Sequence, residues 1–187
     1  VARRAQPDWA DSTPVCRGDL LHDIAQAMRK YQEEIASIVS LETGMSFKQA
    51  LGETGGAIAQ GEFMAGEGRR LYGRTTTSAV PNKYAMVVRQ PLGVAGLIIA
   101  ANTPIANVAW KIFPALICGN VAVLKAAEDT PATAWIVGRI AKEMGLPPGV
   151  LNIIQGYGEE VGAPLVASPE VDVISFTGST EVGRIIR

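Results

Sequence analysis

Four clusters of small and polar residues each follow a short apolar run, and their types define the chemistry on offer. Asn102 and Thr103 come after GLIIA, Lys125 closes VAVLK with Glu128 just beyond, Gly156 and Gly158 come after VLNII, and Thr177, Gly178 and Ser179 come after VDVISF. Glycines permit close backbone approach, amides and hydroxyls donate and accept, and Lys-x-x-Glu offers a cation beside a carboxylate. Such groups suit an anionic, hydroxyl-rich ligand such as a nucleotide, whose phosphates need loop amides and a helix N-terminus. Each cluster also has a plainer reading. Glycines after strands serve as turn residues, and the GxGxxxG of Gly156, Gly158 and Gly162 departs from the dinucleotide fingerprint spacing. Lys125 and Glu128 also read as a solvated pair at a helix start, and Asn102 ahead of Pro104 as a turn former and helix cap.

The elements that must position these clusters are legible in the apolar periodicity. From Asp19, an N-cap, apolar residues recur at Leu20, Ile24, Ala27, Met28, Tyr31, Ile35, Ile38 and Val39, one helical face that Gly44 brings to an end. Ser46 and Gln49 have capping-box spacing and open a second helix whose apolar positions run from Phe47 to Leu71. Six glycines lie between Gly52 and Gly68. Each costs about 1 kcal/mol against alanine, so close packing against a neighbour must hold this helix. The polar run 75–82 reads as a loop feeding an extended run at 84–89. After Pro91 the rhythm changes: GVAGLIIA, VAVLK, VLNII and VDVISF alternate with helices opening near Pro104, Pro131, Gly158 and Thr180, with Thr130 as a cap. Continuous apolar strands separated by helices need crossover connections and a parallel sheet covered on both faces. The expected fold class is therefore α/β, a doubly wound parallel sheet preceded by N-terminal helices. All four clusters then fall on the edge formed by the strands' carboxyl ends, where such sheets bind ligands.

Bulk composition narrows the partners. Lys plus Arg (17) nearly balance Asp plus Glu (18), so no basic field attracts nucleic acid and none is expected to bind. Two distant cysteines, Cys16 and Cys118, with the single histidine, His22, cannot assemble a zinc site of the usual ligand count. Reduced thiols in a cytoplasmic setting are expected, and His22 reads as a surface residue of the first helix. No membrane is expected either, because the richest apolar stretch stops at Asn102 and Pro104, well short of a bilayer span. Val1 and the barely begun helix at 181–187 are expected to be cuts in a longer chain.

What raises the clusters above their plainer readings is their joint order. PLGVAGLIIAANTPIANVAWKIFPALICGNVAVLKAAEDTP, then GLPPGVLNIIQGYG, then VDVISFTGSTEVGRII, resembles the aldehyde dehydrogenase superfamily from Pro91 onward, and LETGMSF after the first helix is similar to that family's N-terminal portion. The resemblance implies a Rossmann-like core of the aldehyde dehydrogenase type. Residues 1–72 would be its N-terminal helices, 73–91 an oligomerisation strand arm, and 92–187 an NAD(P)-binding core left incomplete at its C-terminus. It implies that Asn102 holds the oxyanion formed when a catalytic cysteine attacks an aldehyde. Lys125 and Glu128 would grip the adenosine ribose, and a carboxylate there would repel a 2′-phosphate, which favours NAD while leaving NADP possible. Ser179 and the amides from Gly178 onward would meet the pyrophosphate, while Phe176 and Gly158 shape the groove walls. Ile98, Ile99, Ala100, Ala127, Gly162, Thr177 and Val182 complete the expected cofactor-contacting set. Lys111 matches a family lysine and reads first as structural or channel-lining.

Departures from the family pattern also matter. Ala100 and Ala101 stand where the family often has Pro-Trp, which removes an indole near the phosphates. The family's general-base glutamate and nucleophilic cysteine would fall beyond Arg187, so the chain alone is expected to bind cofactor and not to turn over. Cys118, in LICGN at a helix end, is expected to be an inert core thiol, since neither His nor cation stands beside it in sequence. The parent is expected to oxidise a small-molecule aldehyde to an acid as a homodimer or homotetramer. The rivals are a CoA-acylating or acyl-phosphate-reducing member of the same superfamily, and a non-catalytic nucleotide-binding module.

Overall fold

A computed structural model describes residues 1–187. Four helices precede the first strand where periodicity predicts two: α1 (Ala2–Asp11), α2 (Pro14–Lys30), α3 (Gln32–Thr43) and α4 (Phe47–Gly66). The expected start at Asp19 is late. Thr13 is the true cap of α2, accepting from the Cys16 amide at 3.1 Å, with Pro14 in the first turn. Periodicity runs on through Tyr31, but its backbone leaves the helical region (φ −98°, ψ 15°) and divides α2 from α3. The helix α1 escapes a pattern reading because it buries only Ala2 and Trp9 and contains Pro7. Tertiary bonds hold it: Trp9 Nε1 donates to the Leu116 carbonyl at 3.1 Å. Arg17, 4% exposed, bridges the same region by donating to the carbonyls of Ile117 (3.0 Å) and Trp9 (3.3 Å) and to that of Ser12. A guanidinium against helix-terminal carbonyls neutralises acceptors the helices leave unpaired.

Gly44 does end α3, in the left-handed conformation (φ 74°), and the Ser46–Gln49 capping box opens α4. The glycine-rich α4 is packed as expected, among α2, α3 and α5 (Pro104–Ile117). Gly61 shows why: a Cβ there would stand 2.7 Å from the ring of Phe113, which is wholly buried on α5.

Residues 73–91 carry a two-stranded antiparallel ribbon, β1 (Arg74–Thr76) with β2 (Ala85–Val87). Thr75 and Thr76 were expected in a loop. They are strand because pairing with Met86 and Ala85 overrides their polar context.

The remainder alternates as expected: β3 (Val94–Ile98), α5, β4 (Val121–Lys125), α6 (Pro131–Glu143), β5 (Leu151–Ile154), a π turn (Gly158–Gly162) leading into α7 (Ala163–Ala167), β6 (Val173–Phe176) and α8 (Thr180–Ile186). The four strands are parallel in the order β5-β4-β3-β6. All five residues of β3 are buried, which requires cover on both faces. The start of β3 is pinned by side chains. Asn120 Oδ1 accepts from the Leu92 and Gly93 amides at 2.7 and 3.0 Å, and Asp172 Oδ2 accepts from the Val94 amide at 2.7 Å. That amide, with Arg3 at 2.8 Å, holds the Asp172 carboxyl below its ordinary pKa.

Candidate functional site

The four core strands end level with one another. Ile98 pairs with Lys125 on one side and Phe176 on the other, and Lys125 pairs with Ile154. The next amides continue the ladder, from Ile99 to the Lys125 carbonyl (3.4 Å), from Ala126 to Ile154 (3.1 Å) and from Thr177 to Ile98 (3.0 Å). The clusters after these strands therefore leave the sheet along one row, with Lys125 and Phe176 two strand spacings apart, about 10 Å. The chain moves outward from β3 to β4 and β5, then returns to lay β6 on the other side of β3. The gap between the loops after β3 and β6 is thus a topological switch point, the place where a doubly wound sheet leaves a crevice.

Within that row the sequence-expected residues divide by exposure. Ile98, Ile99 and Ala127 are buried beneath the edge, Ala100 is half-buried, and Asn102 is exposed above it. The Lys125 side chain is 4% exposed and donates to the carboxylate of Glu128, which is 45% exposed. That bond is the chief reason the Glu128 carboxyl sits below its ordinary range. The pair thus presents one carboxylate to solvent over a sunken ammonium. Gly158 is exposed and a Cβ there would meet nothing within 4 Å, so the turn after β5 opens onto free space, whereas Gly162 is buried at the end of that turn. Beyond β6, a Cβ at Gly178 would stand 2.4 Å from Phe176, so glycine there lets the ring fold over the start of α8. Ser179 caps that helix, its Oγ accepting from the Val182 amide at 3.2 Å. Phe176, Thr177, Gly178, Ser179 and Arg184 line one recess of about 490 Å³. Asn102 lines another of about 540 Å³, with Glu42, Met45, Asp129 and Thr130. These residues share the sheet edge, but the two recesses do not merge into one pocket within the 187 residues.

Three site-building residues carry no sequence signal. Glu42 at the end of α3 accepts from the amides of Ala132 (2.6 Å) and Thr133 (2.8 Å) and from the Thr133 hydroxyl (2.6 Å). It does what was expected of Thr130, which holds the N-cap position of α6 while its hydroxyl is buried without a partner. Glu53 of α4 likewise accepts from the Ala106 amide at 3.1 Å in the first turn of α5. Burial pushes the Glu53 carboxyl above its ordinary pKa, against the pull of the Ala106 and Ile105 amides. The helix starts after β3 and β4 are thereby filled by the chain's own carboxylates, which compete with any anion there. Asn107 is the third. It is buried on α5, and its Nδ2 donates to the Ala100 carbonyl at 3.3 Å and the Asn102 side-chain oxygen at 3.4 Å. No local pattern separates it from an ordinary helix residue.

Lys111, also on α5, is 9% exposed and donates to Ser175 Oγ at 2.9 Å, and burial lowers its pKa. His22 is exposed, as expected. Cys118 is not in the core. It is exposed at the end of α5, where it lines a cleft of about 1230 Å³ with Arg17, Tyr72, Arg74, Arg89 and Asn120, away from the strand carboxyl ends. The helix ends there, so the thiol turns toward the ribbon instead of the sheet. Desolvation on its inner side still pushes the thiol pKa up, although Arg17 and Arg89 oppose this. Cys16 is exposed too, and both cysteines are free. No helix is long and apolar enough to cross a membrane.

The sequence profile of the aldehyde dehydrogenase family matches residues 1–187. Retinaldehyde dehydrogenase 3 of Mus musculus is 39% identical over 186 residues, which are 99% of this chain and 36% of that protein. Among solved structures, an E. coli NADP-dependent enzyme superposes with a TM-score of 0.97 at 37% identity, over 99% of this chain and 38% of that one. A Staphylococcus aureus betaine aldehyde dehydrogenase in complex with NAD+ superposes with a TM-score of 0.96 at 33% identity, with 99% and 38% coverage. The chain therefore spans little more than a third of each protein it resembles.

Proposed function

The chain belongs to the aldehyde dehydrogenase family, and from that premise we propose that it is the coenzyme-binding portion of an enzyme that oxidises an aldehyde to a carboxylic acid. The single observation that carries this reading is the level row Ile154, Lys125, Ile98, Phe176 at the switch point, with Asn102 exposed beside it. The residues fit a dinucleotide. Lys125 and Glu128 would hold ribose hydroxyls, the ammonium donating and the carboxylate accepting. Gly158, with Gly162 behind it, leaves room for a base or ribose, Thr177, Gly178 and Ser179 would meet the pyrophosphate, and Phe176 and Val182 would shape the groove walls. Ile98, Ile99, Ala100 and Ala127 form the apolar floor. When bound, the nicotinamide supplies a two-electron acceptor.

In this reading Asn102 is the catalytic residue of the chain, its amide donating to oxygen as the aldehyde carbon becomes tetrahedral. A donor so placed stabilises charge that exists only in the transition state. The nucleophile comes from the part of the enzyme to which these residues do not extend, and Cys118 does not substitute for it. NAD is the preferred coenzyme because the exposed Glu128 carboxylate would repel a 2′-phosphate, with NADP the weaker ligand. The test is calorimetric titration of the complete enzyme with both. Glu128→Ala should weaken NAD by tenfold or so while leaving NADP unchanged or tighter, about 1.4 kcal/mol of discrimination. An unaltered NAD-to-NADP ratio would overturn the assignment.

The ribbon of β1 and β2 belongs to the same reading as the arm through which copies of the enzyme pair into a dimer or tetramer. Its exposed Tyr84, Met86, Val87 and Val88 support that role. A reducing, cytoplasmic setting is part of it as well, supported by the unpaired Cys16 and Cys118.

A further inference from the structure

Asn107 is a buried polar residue with an unusual set of neighbours. Only 3% exposed, its Nδ2 faces four oxygens, all from one short stretch: Ala100 O at 3.3 Å, Asn102 Oδ1 at 3.4 Å, Thr103 O at 3.0 Å and Thr103 Oγ1 at 3.2 Å. Its own amide also donates to the Thr103 carbonyl, at 2.9 Å. One side chain therefore stitches the strand-to-helix turn that carries Asn102 to the second turn of α5.

We propose that Asn107 is a positioning residue that fixes which end of the Asn102 amide faces the reacting oxygen. A carboxamide is a donor at one end and an acceptor at the other, and the two ends are nearly the same size, so only hydrogen bonds decide its orientation. With the Asn107 donor against Asn102 Oδ1, the Asn102 Nδ2 is turned away from α5 to the exposed side. The opposite orientation would set two NH2 groups against each other. The direction is enforced from below, since Asn107 cannot itself flip. Doing so would set its oxygen against the Ala100 and Thr103 carbonyls, which can only accept. Two backbone carbonyls thus set Asn107, and Asn107 sets Asn102. The arrangement is complete before any substrate arrives, which is what makes an oxyanion donor effective.

The inference rests on the reading of Asn102 as the oxyanion donor, and the experiment separates the two. In the complete enzyme, kcat, the aldehyde KM and the NAD dissociation constant are measured for Asn102→Ala, Asn107→Asp, Asn107→Leu and the double variants with Asn102→Ala. Loss of the Asn102 donor should lower kcat by about a hundredfold. Asn107→Asp keeps the shape and, when ionised, offers only acceptors, so its carboxylate is repelled by the Ala100 and Thr103 carbonyls and draws Asn102 Nδ2 inward. The expected result is a kcat at least about tenfold lower, with NAD binding within about twofold of wild type. Asn107→Leu removes the donor without adding charge, frees the amide to take either orientation, and should lower kcat by a smaller factor. In the Asn102→Ala background neither substitution should lower kcat further, because the group it orients is already gone.

If Asn102→Ala loses activity while both Asn107 variants keep wild-type kcat, the positioning role is overturned and the oxyanion reading stands. Losses that multiply in the double variants, or that fall on NAD binding, also overturn it, since they mark a merely structural residue. An Asn102→Ala enzyme with wild-type kcat would remove the oxyanion reading and this inference together.

Discussion

Glu42 caps helix α6 from the far end of α3: its Oε2 accepts from both the amide and the hydroxyl of Thr133, 91 residues away in sequence. The first turn of α6 contains no acidic residue of its own, so the carboxylate that complements its dipole arrives through the tertiary fold. Truncation at Glu42→Ala should lower the unfolding free energy by about 2 kcal/mol, the upper range for a cap that is also charged. Urea unfolding of the chain with Glu42→Ala and Glu42→Gln checks this. The glutamine should fall between the wild type and the alanine, and an alanine variant as stable as wild type would show the cap to be idle.

Glu53 gives a pH signature with a definite sign. Its folded-state pKa is raised from the ordinary 4.5, so the native state holds the proton more tightly than the unfolded chain. The contribution from that proton is full below the ordinary glutamate range and is lost as pH rises through the folded pKa. The unfolding free energy of the wild type should therefore lose this component going from pH 4.5 upward, whereas Glu53→Gln should lack it. Parallel stability-versus-pH curves for the two proteins in that window would refute the assignment.

The glycines of α4 should respond to alanine with opposite signs. At Gly61 the new methyl collides with the Phe113 ring, and overpacking of this kind costs roughly 1–3 kcal/mol. At Gly52 and Gly56 a Cβ meets nothing within 4 Å, so only helix propensity acts and the gain is up to about 1 kcal/mol each. Thermal unfolding of the three single variants distinguishes the sites. Equal shifts at all three would mean that propensity alone governs this helix.

The ribbon of β1 and β2 should drive association. Each of its strands pairs only with the other, and Met86, Val87 and Val88 are exposed along it. Sedimentation of the chain at high concentration should show self-association that Val87→Lys weakens. A clean monomer throughout the range would count against the pairing arm.

Much of this molecule was written locally. The strands at 94–98 and 121–125 are short runs, apolar but for Lys125, that open after Gly93 and Asn120, and with helices between them they fit a buried parallel sheet. Because side chains and loops follow each strand directly, the placement of Lys125, Gly158 and Ser179 on one edge follows from strand direction alone. Gly44, Ser46 and Gln49 mark their helix ends by backbone freedom and side-chain spacing that act within a turn.

Tertiary structure decided what depends on partners distant in sequence. The helix α1 exists because Trp9 and Arg17 find carbonyls at the end of α5, and Thr75 is strand because Met86 lies opposite. Cys118 fits a core position by its apolar neighbours, yet it turns out to solvent where α5 stops. Glu42, Glu53 and Asn107 look like ordinary surface or helix residues until α3 and α4 are folded against α5 and α6. Hydrogen bonds reach only a few ångströms, so a residue's periodicity can say which way it faces but not which backbone amide or side chain it will meet there.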